Sequence, residues 1–400
     1  MNIFFKKFGD YISNIMAFGM YIFIQQIILV PMLSGSLTES EFSKIILFMT
    51  VLNIVSIVIG TELGNTRILE DNNVSKDSIY NVLIIKIFSV SLPLSIFLYL
   101  FIYSDSLQFL LALLTCFLCS FKQYLSSYFR LENKFKYILY GNFFYGVGVI
   151  LGVLLFIISG NPIFSFLIGE LVTVIYLIFI SQKEKIWNIN LRDSGDIKEK
   201  KIVYTSYLNL AMVSLLLNGL SYLDRFIIGP LLGLNVIAIY YSASAMSKFL
   251  SLLVNPINSV LIAKLAKQQK KYSYTTFFKF QIIILIGSCI LSIVTSYLGV
   301  YFLYNQYFEL AKSIILPVGI ASGLSIASLI SKTFVLVDVG TKGIININLL
   351  YGIVFFILAI VFSNIFGLQG FAWSSVIARA IQLLQYLILF SRKGNSDVYR

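Results

Sequence analysis

The chain has 400 residues, 58% hydrophobic and only 12% charged, with a formal net charge of +12 and a mean hydropathy of +0.88. Soluble domains carry roughly 25% charged residues, so a single soluble core is excluded. The basic residues sit in short segments between apolar runs, the pattern of membrane loops rather than of a nucleic-acid-binding face. The absence of histidine argues against acyltransfer through a His base. No G-x-x-x-x-G-K loop for binding ATP is present.

A spanning helix needs about 20 mostly apolar residues. Such runs predict twelve spans, near 12–33, 42–63, 79–103, 107–129, 137–159, 162–182, 203–229, 235–263, 274–303, 310–336, 344–366 and 369–391. The opening stretch MNIFFKKFGDYIS precedes a full-length span without a small-residue cleavage site, so the first span is expected to direct insertion. Cys116, Cys119 and Cys289 all lie inside apolar runs and read as small packing residues, with no metal site expected.

Twelve spans place both termini on one side. That side carries 21 of the 30 basic residues, while the other holds only Lys44 and Lys312 at span ends. The excess of Lys and Arg predicts cytoplasmic termini. Reporter fusions at Lys198 and Lys270 should then read as cytoplasmic, and those at Asn161 and Gly367 as external. An external signal at Lys198 would overturn the span count.

The two halves echo each other. QQIILVPMLS (25–34) aligns without gaps on DRFIIGPLLG (224–233), IYLIFISQK (175–183) resembles QYLILFSRK (385–393), and FRLENKFKYILYGN (129–142) loosely matches FVLVDVGTKGIININ (334–348). The expected organisation is an all-α polytopic membrane protein of two pseudo-symmetric six-helix bundles, 1–182 and 203–391. A cytoplasmic linker, 183–202, joins them, and a tail follows at 392–400. Parallel repeats of this kind place a substrate site between the halves.

Charges inside spans are costly and usually face a bundle interior or a water-filled cavity. Lys279 and Lys332 are close enough to span ends to snorkel. Lys86 and Lys122 lie deeper, with snorkelling or pairing as the alternatives to a cavity role. Lys248, Arg379 and Glu170 fall near mid-span. Glu170 superposes beside Arg379 across the repeat, so the two either face one cavity or form an ion pair. Asp224 and Arg225 precede Gly229-Pro230, where the helix is expected to break; either Arg225 faces a cavity while Asp224 pins a neighbouring helix, or the two form an interfacial pair. Their counterparts Gln25 and Gln26 are polar without charge. Pro31, Pro230, Pro256 and Pro317 are candidate hinges, with Pro93 a further breaker. Seven basic against two acidic intramembrane residues favour an anionic substrate.

YLDRFIIGPLLGLNVIAIYYSASAM (222–246), SSYFRLENKFKYILYGN (126–142) and GLQGFAWSSVIARAIQLL (367–384) resemble corresponding regions of the bacterial Wzx-type O-antigen flippases of the MOP superfamily. The resemblance spans nearly the whole chain, although its motifs are diffuse. It implies a MATE-like fold whose bundles form a V-shaped central cavity. It also implies a cargo, undecaprenyl diphosphate carrying an oligosaccharide repeat unit of an O-antigen or capsule, moved by alternating access. Arg225, Lys248, Arg379, Lys86, Lys122, Gln25 and Gln26 are the candidate substrate-binding residues, and Asp224 and Glu170 the coupling or structural charges. Membrane lipids and other polysaccharide-assembly proteins are the expected partners, with no nucleic acid and no cofactor. Any drive comes from an H+ or Na+ gradient or from product removal. The alternatives are a MATE-like multidrug or cation exporter, which calls for cavity carboxylates, and a membrane-embedded polysaccharide polymerase or acyltransferase.

Overall fold

A computed structural model describes residues 16–396 except 18, 72–73, 75, 92–94, 97, 99–101, 104, 188–195, 268–273 and 340. Nine stretches among these are long and apolar enough to cross a membrane. Pro93 and Lys270 lie outside the described residues, and of Pro256 only the helical backbone is described.

In chain order the helices are α1 (Gly19–Ser36), α2 (Glu39–Leu69), α3 (Asp77–Val90), α4 (Ser106–Leu131), α5 (Phe135–Ser159), α6 (Ile163–Lys183) and α7 (Ile197–Ser221). There follow α8 (Leu223–Leu232), α9 (Leu234–Lys267), α10 (Tyr274–Leu303), α11 (Phe308–Val339) and α12 (Thr341–Ser396). The described backbone is helical with no strands, as hydrocarbon demands of a chain whose amide groups must bond internally. The expected spans 344–366 and 369–391 are the two arms of α12, kinked at Gly367. Its φ of 58° and ψ of −139° belong to a region that residues with a Cβ essentially avoid.

The chain packs as two compact units, residues 1–36 with 44–222, and 37–43 with 223–400. In the first, α5 lies on α6, α4 on α6 and α2, and α7 on the second half of α2. Gly148 and Gly152 of α5 let it approach α6 closely. A Cβ at either would stand 2.7 Å from Ile168 O or 2.4 Å from Phe164 O, so these small residues set the helix spacing. The opposite face of α5 exposes Phe143, Ile150, Ile157 and Ile158, an apolar surface that only lipid covers favourably. At the end of α6, Lys134 Nζ donates to Glu184 Oε2 at 2.9 Å. This bond and that from the Tyr137 hydroxyl hold the Glu184 carboxyl below its ordinary range.

The second unit is built on α11, which packs against α9, α10 and α12. The first turn of α2 joins it: Ser43 Oγ accepts the Ala238 N–H at 3.1 Å, and the Phe42 ring lies 5.9 Å from that of Tyr307. The repeat-based division into six and six helices differs from these packing units by α7, which groups with the first unit through α2.

Candidate functional site

Two polar centres interrupt the apolar interior, one in each unit. In the first, four helices converge on Glu170, which is fully buried. Lys122 of α4, 3% exposed, places its Nζ 2.8 Å from Glu170 Oε1 and 2.7 Å from Oε2. The Tyr21 hydroxyl of α1 donates to Oε1 at 3.2 Å. The ammonium also lies 3.9 Å from the Tyr21 ring centroid and 5.0 Å from that of Tyr145 on α5. A buried ion pair persists only when both charges find further partners; here the Tyr21 hydroxyl serves the carboxylate and the two aromatic faces serve the ammonium. Glu170 is therefore engaged by Lys122 of its own unit. Lys86, by contrast, lies exposed on α3.

Gln25 and Gln26 lie in a π-helical turn of α1, Phe23–Leu29, where the Val30 N–H bonds to Gln25 O, five residues back. Gln25 is 2% exposed, and its Nε2 makes no hydrogen bond among the described residues. Pro31 follows within the same helix.

Ahead of the expected break at Gly229-Pro230, the helix breaks at Tyr222, the last residue of the first unit. There α7 ends and α8 begins one residue later, carrying Pro230 inside it and ending before Gly233 with φ 98°. The reason is local. Asp224 sits in the first turn of α8, where N–H groups lack intrahelical acceptors, and its Oδ1 accepts the Arg225 N–H at 3.0 Å. Its other oxygen, Oδ2, accepts a hydrogen bond from Lys248 Nζ of α9. The Arg225 guanidinium stands 5.0 Å from the centroid of the Tyr241 ring. Asp224 and Arg225 are both buried, at 7% and 6% exposure.

Arg379 completes this centre. Its guanidinium lies 4.1 Å from the Tyr351 centroid, and its Nη1 donates to Gln382 Oε1 at 2.8 Å. Gln382 Nε2 donates in turn to Asn348 Oδ1 at 2.9 Å, which also accepts the Tyr386 hydroxyl at 3.3 Å. Arg379 is within electrostatic reach of Lys248, Tyr240 and Tyr386. Among the described residues the cluster holds Arg225, Lys248 and Arg379 against the single carboxylate of Asp224. Such an excess of donors in an apolar setting can replace the hydration of an anion.

Sequence reasoning passed over Glu62, one residue from the end of the expected second span, and placed Arg67 in the loop beyond it, and so missed two buried charges at the end of α2. Glu62 accepts from Ser214 Oγ and, at 3.0 Å, from Asn65 Nδ2. Arg67 is paired with Asp71 and Asp77 and lies 5.4 Å from the Tyr80 centroid. The stretch TELGNTR (61–67) reads as a loop by composition; only its continuity with the long apolar run before it pointed to a helix.

No family model matches the chain, and no curated protein matches it by sequence. Solved structures do match it. An inward-facing multidrug resistance MATE family transporter of the MOP superfamily is 12% identical, with a TM-score of 0.66 over 94% of each chain. The lipid II flippase MurJ in an inward closed conformation is 15% identical, with a TM-score of 0.66 over 99% of this chain and 90% of its own. The Vibrio cholerae MATE transporter VcmN in its bent form is 10% identical, with a TM-score of 0.58 over 98% and 97%. The chain is thus a multi-pass helical membrane protein with the fold shared by the MATE and MurJ transporters.

Proposed function

We propose that the protein is a flippase, moving an oligosaccharide linked to undecaprenyl diphosphate across the bacterial inner membrane for surface polysaccharide assembly. The observation that carries this reading is the cluster of Arg225, Lys248 and Arg379 around one carboxylate in an apolar bundle. A diphosphate and its sugars are too strongly hydrated to cross about 30 Å of hydrocarbon unaided, and Arg and Lys donors offset that loss of water. The likeness to a lipid II flippase supports a lipid-linked cargo.

The likeness to MATE exporters supports a second reading equally well at the level of fold. Its specific support is Glu62, a buried acid whose hydrogen bonds come from the neutral groups of Ser214 and Asn65. The acids Glu170 and Asp224 are each engaged by a lysine, which disfavours them as sites for a cationic drug. Gene deletion separates the two readings. Loss of a flippase removes surface polysaccharide and accumulates lipid-linked repeat units inside, with drug tolerance unchanged. Lowered drug tolerance with normal polysaccharide would establish the exporter instead.

A further inference from the structure

Arg379 differs from the other two cations of its cluster. Lys248 is the ion-pair partner of Asp224, and Arg225 bonds the same carboxylate through its backbone N–H, whereas among the described residues no ion pair reaches Arg379. Neutral groups hold its guanidinium instead, the Tyr351 ring on one side and the Gln382 amide oxygen at one nitrogen. The amide is itself fixed by Asn348, which also bonds Tyr386. Arg379, Gln382 and Tyr386 follow at i, i+3 and i+7 on the second arm of α12, and so share one helix face. Asn348 and Tyr351, three residues apart on the first arm, meet that face.

This arrangement orients a planar fork without neutralising it. A guanidinium fork matches the two oxygens of a carboxylate, and a fork already fixed loses little freedom on binding. The adjoining tyrosines and amides suit sugar hydroxyls and ring faces. A site for diphosphate alone would be served by Arg225 and Lys248.

We propose that Arg379 recognises a carboxylate on the cargo's saccharide, so that the protein selects acidic over neutral lipid-linked oligosaccharides. This rests on the flippase reading above, and gives Arg379 a role in specificity separate from the binding of diphosphate.

The test uses the purified full-length chain and three probes: a polyprenyl diphosphate bearing glucuronic acid, its glucose counterpart, and its glucuronamide counterpart. Binding is measured by competition in native mass spectrometry. The wild type should prefer the glucuronic acid lipid by roughly 10- to 100-fold, as for one charged hydrogen-bonded contact. R379Q should lose that preference, binding the acidic and glucose lipids alike, and R379K should retain part of it. If R379Q does not fold, the glucuronamide lipid makes the same test on the wild type, where it should bind like the glucose lipid. Equal wild-type binding of acidic and neutral lipids overturns the inference and leaves the flippase reading standing. Equal weakening of both lipids by R379Q would assign Arg379 to the diphosphate and overturn it too. A wild type that binds none of the three removes the flippase reading and the inference together.

Discussion

Glu170→Ala is expected to leave little folded protein in the membrane. The substitution strands the Lys122 ammonium, 3% exposed, with only the Tyr21 and Tyr145 rings to replace its counter-ion. Breaking a buried pair from one side costs about 3–5 kcal/mol, a large share of the stability of an ordinary domain. Lys122→Met should do similar damage by stranding the carboxylate. The double change Glu170→Leu with Lys122→Met removes both charges and should recover most of the loss. Membrane abundance and thermal stability, followed by size-exclusion chromatography of the tagged protein, measure all three. Wild-type abundance of Glu170→Ala would mean that the pair holds nothing together. A double variant no better than the singles would mean that the ions do more than compensate each other.

For Arg225→Gln, polysaccharide export is expected to fall at near-normal protein level. Loss of one charged hydrogen-bonded contact to phosphate costs about 1.5–3 kcal/mol, or roughly 10- to 100-fold. Glutamine keeps hydrogen-bonding capacity, so Arg225→Gln should behave like Arg225→Ala if charge is what matters. Gln26→Ala, at the matching place in the first half, should have the smaller effect because no charge is lost. Accumulated lipid-linked repeat units give the readout. Normal export by Arg225→Gln would reduce the charged copy of the repeat to a relic of duplication.

Much of the helical plan was legible because lipid forces it. A segment that must satisfy every amide internally and cover about 30 Å needs some 20 apolar residues, and composition records that directly. Helix irregularities leave no such trace. The break at Tyr222 falls one residue before α8, whose first turn holds Asp224 bonded to the Arg225 N–H, a local detail that hydropathy cannot register. The third expected span, 79–103, begins as α3 but that helix stops at Val90, two residues before the Leu92-Pro93 step, where a proline disfavours helix in the residue before it. The charged residues inside the spans were legible one by one, and their pairings were not. Lys122 and Glu170 are 48 positions apart, and only the packing of α4 on α6 brings them together. The aromatic partners Tyr21, Tyr145 and Tyr351 were hidden among 25 tyrosines whose usual place is the membrane interface.

The widened turns at Phe23–Leu29 and Ser56–Thr61 bear on how this chain tolerates change. A π-turn is in effect an α-helix holding one residue too many, and each residue is worth about 100° of rotation. Tyr21 lies before the first turn and Pro31 beyond it, so deleting a single residue between them would close the turn and swing Tyr21 away from Glu170 and Lys122. Glu62 follows the second turn directly and is set by the same offset. At these two corners the fold is therefore encoded by length as much as by identity. A conservative substitution there leaves the geometry intact, whereas the loss or gain of one codon turns an entire helix face.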